Sequence, residues 1–209
     1  MSLKRLLIAV LVALNAFVGT GSAQQKNEIS GLIGKTFIHD SIIKGATFFD
    51  NSVNYGNGIS VEANYSRHVW GEGFTGLSLE VPVVINRDED LNTGQNLIPK
   101  DYSSFFVTPA ARLNVFAENA FSPWFSFGGG FGHFGPSSTL LFGGTNPGKG
   151  SSTTGVLQTG FGLDVKFTER LKARLAVRDL WAGVPNLNVD IGKTRQHNLF
   201  VGGGIVWSF

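Results

Sequence analysis

Apolar side chains recur at every second position along most of this chain, and the apolar set is the uniform one. In "HNLFVGGGIVWSF", Leu199, Val201, Gly203, Ile205, Trp207 and Phe209 fall on one face. Asn198, Phe200, Gly202, Gly204, Val206 and Ser208 fall on the other. This is the period of a strand. The pattern repeats upstream. Ile59, Val61, Ala63, Tyr65 and Val69 oppose Ser60, Glu62, Asn64, Ser66 and His68, and Leu77 to Ile85 oppose Ser78, Glu80 and Asn86. Phe105 to Val115 oppose Thr108, Arg112 and Asn114. Phe125, Phe127 and Phe131 oppose Ser126, Gly128, Gly130 and Gly132. Leu157 to Phe167 oppose Gln158, Gly160, Gly162, Asp164 and Lys166, and Leu171 to Val177 oppose Lys172, Arg174 and Arg178. A soluble sandwich would bury the apolar set and wet the charged one. Here one face of each strand is the uniformly apolar one and the lone charges and glycines lie mostly on the other, which fits a lipid-facing exterior around a polar interior.

Seven such strands are clear, and "EISGLIGKTFI" supplies an eighth whose faces are both mixed, leaving its register open. Their connections alternate strictly. "GEG", "AENAFS" and "TER" are short, whereas "HDSIIKGATFFDNSVNYGNG", "RDEDLNTGQNLIPKDY", "GPSSTLLFGGTNPGKGSS" and "VPNLNVDIGKT" are long. Short inner turns and long outer loops are the signature of an outer-membrane barrel, and strands of this length cross a tilted bilayer. In hydrocarbon only a closed sheet leaves no unpaired edge. The expectation is all-β: an eight-stranded antiparallel transmembrane β-barrel with up-and-down connections. Pro82 and Pro109 each remove a ladder donor and are expected to mark bulges or register breaks. A turn at Thr168 to Arg170 predicts Asp164 opposite Arg174, and a turn at Gly71 to Gly73 predicts Glu80 opposite Asn64.

The start of the chain reads differently. Lys4 and Arg5 precede an apolar run from Leu6 to Val18, and the small residues Gly21, Ser22 and Ala23 follow it. That order is a secretory signal peptide, so 1–23 is expected to be removed and 24–209 to form the barrel domain. Lys4 and Arg5 are the whole excess of 17 basic over 15 acidic residues. The remaining chain is balanced, which gives no argument for nucleic acid. With no cysteine, closure rather than disulfides must hold the fold.

The ending "GIVWSF", with Gly204, Trp207 and Phe209, resembles the signal that closes bacterial outer-membrane barrels. "VTPAARLNVF", "SPWFSFGGGFG", "GLDVKF" and "VRDLW" resemble the small barrels related to the OmpA/OmpX type. The resemblance implies an outer-membrane location. It also implies recognition of the last strand by the barrel assembly machinery, and contact with membrane lipid and lipopolysaccharide. The peptidoglycan-binding domain of the OmpA type is not expected, as nothing follows Phe209.

For function, the interior set Glu62, Glu80, Arg112, Asp164, Lys166, Lys172, Arg174 and Arg178 is expected to form a charge network filling the lumen. The glycines Gly128, Gly130, Gly132, Gly160, Gly162, Gly202 and Gly204 either accept bulk from Arg112, Trp124, Arg178 or Phe200, leave a pocket, or bend strands. "HDS" at 39 to 41 is no triad by adjacency alone. "DEDLN" at 88 to 92 reads as a solvated acidic loop rather than a cation site, and no cofactor or metal is implied. Phe48, Phe49, Tyr55 and Leu140 to Phe142 are candidate loop contacts, against the favoured expectation that they simply pack the loops above the barrel. The leading expectation is a non-enzymatic envelope or surface-interaction protein with an unknown surface partner. A small channel for ions or small solutes, a lipid-modifying enzyme and a soluble periplasmic barrel that binds a ligand inside are the alternatives.

Overall fold

The computed structural model describes residues 27–45, 51–56, 58–71, 73–94, 96–148 and 150–209, with the side chain of Asp88 left out. The expected signal peptide, Phe48 and Phe49 lie outside these residues. Eleven strands follow one another: β1 (Asn27–Ile38), β2 (Ser41–Ile42), β3 (Ser52–Tyr55), β4 (Ile59–Trp70), β5 (Thr75–Asn92), β6 (Asp101–Val107), β7 (Ala110–Val115), β8 (Phe121–Pro136), β9 (Ser152–Lys166), β10 (Leu171–Gly183) and β11 (Arg195–Ser208). β6 and β7 are two halves of one barrel strand, and β2 and β3 form a small ribbon above the barrel. Every barrel strand pairs antiparallel with its sequence neighbours, and β1 pairs with β11. The result is a closed barrel of eight antiparallel strands.

Closure runs along β1 from Glu28 opposite Ser208 to Ile38 opposite Asn198. It ends in a reciprocal backbone pair between Asn27 and Phe209, at 2.9 and 3.1 Å. Two glycines make this seam possible. A side chain at Gly34 would strike the Val201 carbonyl, and one at Gly204 would strike the carbonyl of Gly31. The register left open for β1 is now fixed: Glu28, Ser30, Leu32 and Thr36 face inward, and Ile29, Ile33 and Phe37 face outward.

The apolar faces point out, as expected. Ile33 is 70% exposed, Phe167 66% and Ile205 60%. Trp70, Phe74, Phe116, Phe121, Phe167, Trp207 and Phe209 are all exposed near the short turns. They form an aromatic girdle of the kind that sits at a membrane interface. The opposite faces are buried.

Three expectations need correction. Pro82 and Pro109 cause no register shift. Val83 pairs with Val107 and Glu80 with Ala110 in one continuous register, so the prolines only interrupt the ladder, splitting β6 from β7. The irregularities lie elsewhere, between His68 and Trp70 and between Asn86 and Glu89. The turn before β5 is longer than expected, with Trp70 opposite Leu77, and the first irregularity takes back one position, so Glu80 lies opposite Ser66 and Asn64 opposite Pro82. The expected pairing of Glu80 with Asn64 is thereby off by two residues. Finally, β5 continues to Asn92, so "DEDLN" is a strand end and not a solvated loop.

The seam gives a paired test. Gly204→Val places a branched side chain against the β1 backbone, whereas Gly31→Val, with nothing within 4 Å of its Cβ position, points into free space. On unboiled SDS gels of outer membranes, Gly204→Val is expected to lose the folded, heat-sensitive band and Gly31→Val to keep it.

Candidate functional site

The lumen holds one connected chain of ion pairs. Arg178 reaches Glu62 at 2.9 Å and Glu80 at 2.7 Å. Glu80 also faces Arg112 at 3.6 Å, and Arg112 donates to Glu28 at 2.6 Å. Glu28 takes a second cation from Lys172 at 2.5 Å and a third from Arg174 at 3.4 Å. Arg174 closes the chain with a bidentate grip on Asp164, both bonds 2.7 Å. Four acids thus meet four bases. The Arg174 and Arg178 side chains are fully buried, at 0% exposure.

Secondary partners hold the chain in place. Asn64 donates to Glu80 at 3.0 Å, a diagonal contact that survives the two-residue shift. Trp124 donates to Asp164 at 3.1 Å, and its ring lies 5.1 Å from the Arg178 guanidinium and 5.5 Å from that of Arg174. That ring has room because Gly160 and Gly162 lie beneath it. Phe200 likewise lies over Gly202, and Phe106 against Gly132. The glycine wall therefore accepts bulk, from Trp124, Phe200 and Phe106. At Gly128, Gly130 and Gly204 it is neighbouring backbone that leaves no room for a Cβ.

Of the eight expected network residues, seven lie in this chain of ion pairs, and Asp164 stands opposite Arg174. Lys166 is the exception: its partner is Glu169 in the turn at 3.0 Å, near the mouth. The hub, Glu28, was not anticipated. Its strand has two mixed faces, so its direction was unreadable until β1 was paired.

The lumen is layered. A vestibule of about 160 Å³ opens at the short-turn end, lined by Glu28, His68, Arg112, Asn114, Lys166 and Lys172. The ion chain lies beyond it. Next come neutral hydrogen bonds from Thr108 to Gln158, from Gln158 to Ser126 and from Thr36 to Asn86. Leu32, Val84, Phe106, Phe134 and Phe200 add an apolar plug, each 0% or 1% exposed.

Above the plug the four long loops pack on one another. Ile43, Val53, Leu91, Ile98, Leu187 and Ile191 form a buried core continuous with the barrel's. Backbone bonds join Lys44 to Asp190 and Leu141 to Ile98, and Asn188 donates to Asn146 and Leu97. Tyr55 is buried in this cap, where it packs the loops above the barrel, while Phe142 remains 65% exposed. Asp40 of "HDS" accepts from the Tyr55 backbone N–H rather than orienting a histidine.

Glu89 belongs to this cap and not to the lipid-facing belt. The irregularity after Asn86 turns it inward, fully buried. Burial and the nearby Asp90 push its pKa up to about 7, against one backbone hydrogen bond from Gly58. Tyr102, its partner across the ladder, has its own pKa raised by burial and by the charge on Glu89.

Comparison with solved structures places this architecture. Neisserial surface protein A superposes with a TM-score of 0.57 at 12% identity, over 90% of this chain and 100% of that one. This is the fold of a small outer-membrane β-barrel. The outer membrane protein OprG from Pseudomonas aeruginosa gives 0.52 at 12% identity, over 88% and 95%. No protein-family model matches the sequence, and no curated protein matches it. The likeness is of fold, and the chemistry has to be read from this barrel's own residues.

Arg178→Met leaves Glu62 and Glu80 buried with their main cation gone, and is expected to cost about 3–5 kcal/mol in urea unfolding from bilayers. Lys172→Met, at the partly open mouth, is expected to cost less than about 1 kcal/mol. For Glu89 the folded-state pKa is raised, so the cap is most stable when the carboxyl is neutral. That stability is full below about 4.5 and is lost as pH rises towards and through about 7. Loop nicking by protease, corrected for the enzyme's own pH profile, is expected to be faster at alkaline than acid pH in the native chain. Glu89→Gln is expected to abolish the difference.

Proposed function

We propose that this chain is a non-conducting, non-enzymatic protein of the bacterial outer membrane whose working surface is the loop cap. The observation that carries the reading is the cap itself. Among the described residues, three of the long loops share a buried core and the loop between β8 and β9 is tied to them by hydrogen bonds, so the cap holds one shape outside the membrane. A plugged barrel below it is an anchor. Ile42, Leu97 and Phe142 stay exposed on the cap, at 62%, 45% and 65%, and offer apolar contact points to a surface partner or to neighbouring envelope components.

The lumen supports the same reading. An ion entering the vestibule meets the paired chain of Arg178, Glu80 and Glu62, and then buried apolar side chains among polar ones already hydrogen-bonded to one another, such as Thr36 and Asn86. Both barriers would have to move together for conduction. Chemistry on lipid would need a nucleophile or base grouped on the exterior or at the rim. Among the described residues, His39 and Ser41 of "HDS" are not assembled with Asp40 in that way.

In planar bilayers the purified barrel is expected to give no unitary conductance steps. Overexpression is expected to leave the lipid A mass spectrum unchanged. Reproducible channels from the native chain would overturn the plugged-anchor reading, and a new lipid A species would overturn the non-enzymatic one.

A further inference from the structure

The outward face of the barrel carries one group of polar side chains that closure and lumen packing do not require. Asp179 and Trp181 project outward from β10, and Arg195 and His197 from β11, with Trp181 directly opposite His197. The Arg195 guanidinium lies 4.7 Å from the centre of the Trp181 ring. The His197 ring stacks on the same tryptophan, with centroids 6.2 Å apart and planes 24° from parallel. Its Nδ1 lies 2.7 Å from an Asp179 oxygen. Nη1 of Arg195 donates to the Gly155 carbonyl on β9 at 3.4 Å. Where Gly155 would carry a Cβ there is open space to 4 Å, so no side chain at that position covers the guanidinium's contact with β9.

Position decides what this group meets. Below it on the same two strands the outward residues are Leu175, Val177, Leu199 and Val201, all exposed and apolar. Above it begin the long loops. A charge on the lipid face costs about 2–4 kcal/mol at the bilayer midplane and about 0–1 kcal/mol at the interface. Arg195 is therefore placed where hydrocarbon gives way to headgroups. Tryptophan is at home at that depth.

Charge decides the kind of headgroup. His197 has Asp179 as its partner. Arg195 has no carboxylate within ion-pair distance among the described residues, and the backbone takes one of its five N–H donors. The stacked tryptophan holds the guanidinium plane fixed, and a planar fork of free donors matches a phosphate. We propose that Arg195, positioned by Trp181 and flanked by His197, binds the phosphate of an outer-leaflet lipid headgroup. This rests on the membrane-spanning reading and assigns that surface its lipid contact. His133, bonded to Thr153 at 2.8 Å on β8 and β9, continues the same outer edge.

The test uses the mature protein in detergent and native mass spectrometry with added lipid A, either phosphorylated or dephosphorylated. The native chain is expected to retain the phosphorylated form about tenfold better than Arg195→Gln does, the scale of one lost charge-assisted contact. Arg195→Lys is expected to fall between them. Dephosphorylated lipid A is expected to bind the native chain and Arg195→Gln equally weakly. Equal retention of phosphorylated lipid by the native chain and Arg195→Gln would overturn the proposal, and so would equal retention of both lipids by the native chain. Displacement by an equal concentration of inorganic phosphate would assign the patch to soluble anions and overturn its lipid assignment. Each variant is checked first for the heat-sensitive band on unboiled gels. If Arg195→Gln lacks that band, the two lipids on the native chain carry the test. A native chain soluble without detergent would instead refute the membrane-spanning reading.

Discussion

The pairing of β1 with β11 is the interaction on which the rest depends. In lipid, an unpaired backbone N–H or C=O has no water to turn to, so an open eight-stranded sheet would fail at both edges. The seam closes over eleven paired positions, from Glu28 to Ile38. It closes tightly because Gly34 and Gly204 let the two backbones approach without side chains between them. The final Phe209 then sits in the aromatic girdle with its backbone bonded to Asn27. The apolar exterior, the lumen and the cap exist only in the closed ring.

Closure creates a narrow interior, and the chain fills it with charge in balance. Removing water from a carboxylate or guanidinium is expensive, and a pair recovers that cost only with good geometry. Here the geometry is good. Arg174 holds Asp164 with two bonds, Arg178 spans Glu62 and Glu80, and the tryptophan ring lies against both guanidinium groups. The network reads as an ionic core, an unusual filling that a lipid-facing exterior makes necessary. With greasy residues committed to the outside, the inside is left to the polar ones.

The barrel was legible in the sequence because period two, strand length and loop alternation are each set by the bilayer. The facing of Arg112, Arg174 and Arg178 followed from the same alternation. What could not be read was anything that depends on pairing between strands. Glu28 was hidden because β1 has no clean face. The shift that moved Glu80 from Asn64 to Ser66 arises in a turn that sets Trp70 opposite Leu77 and in a local irregularity near Val69, neither of which alternation records. Glu89 was misplaced for a related reason: a run of acids looks solvated until an irregularity in β5 turns one of them inward. Pro82 and Pro109 misled in the opposite sense, since two missing donors on adjacent strands can be tolerated with the register intact.

The ion chain has a consequence for assembly. A strand that slips by two residues keeps its apolar side chains outward, so the bilayer barely distinguishes the slipped barrel from the correct one. The lumen does distinguish them. Residues of β1, β4, β5, β7, β9 and β10 all contribute to one ionic chain. A slip in any of these strands separates at least one buried charge from its counter-charge, at about 3–5 kcal/mol. Lipid selects which face points where, and electrostatics inside selects which rung meets which. The interior of this barrel thus acts as a proofreader of its own strand alignment.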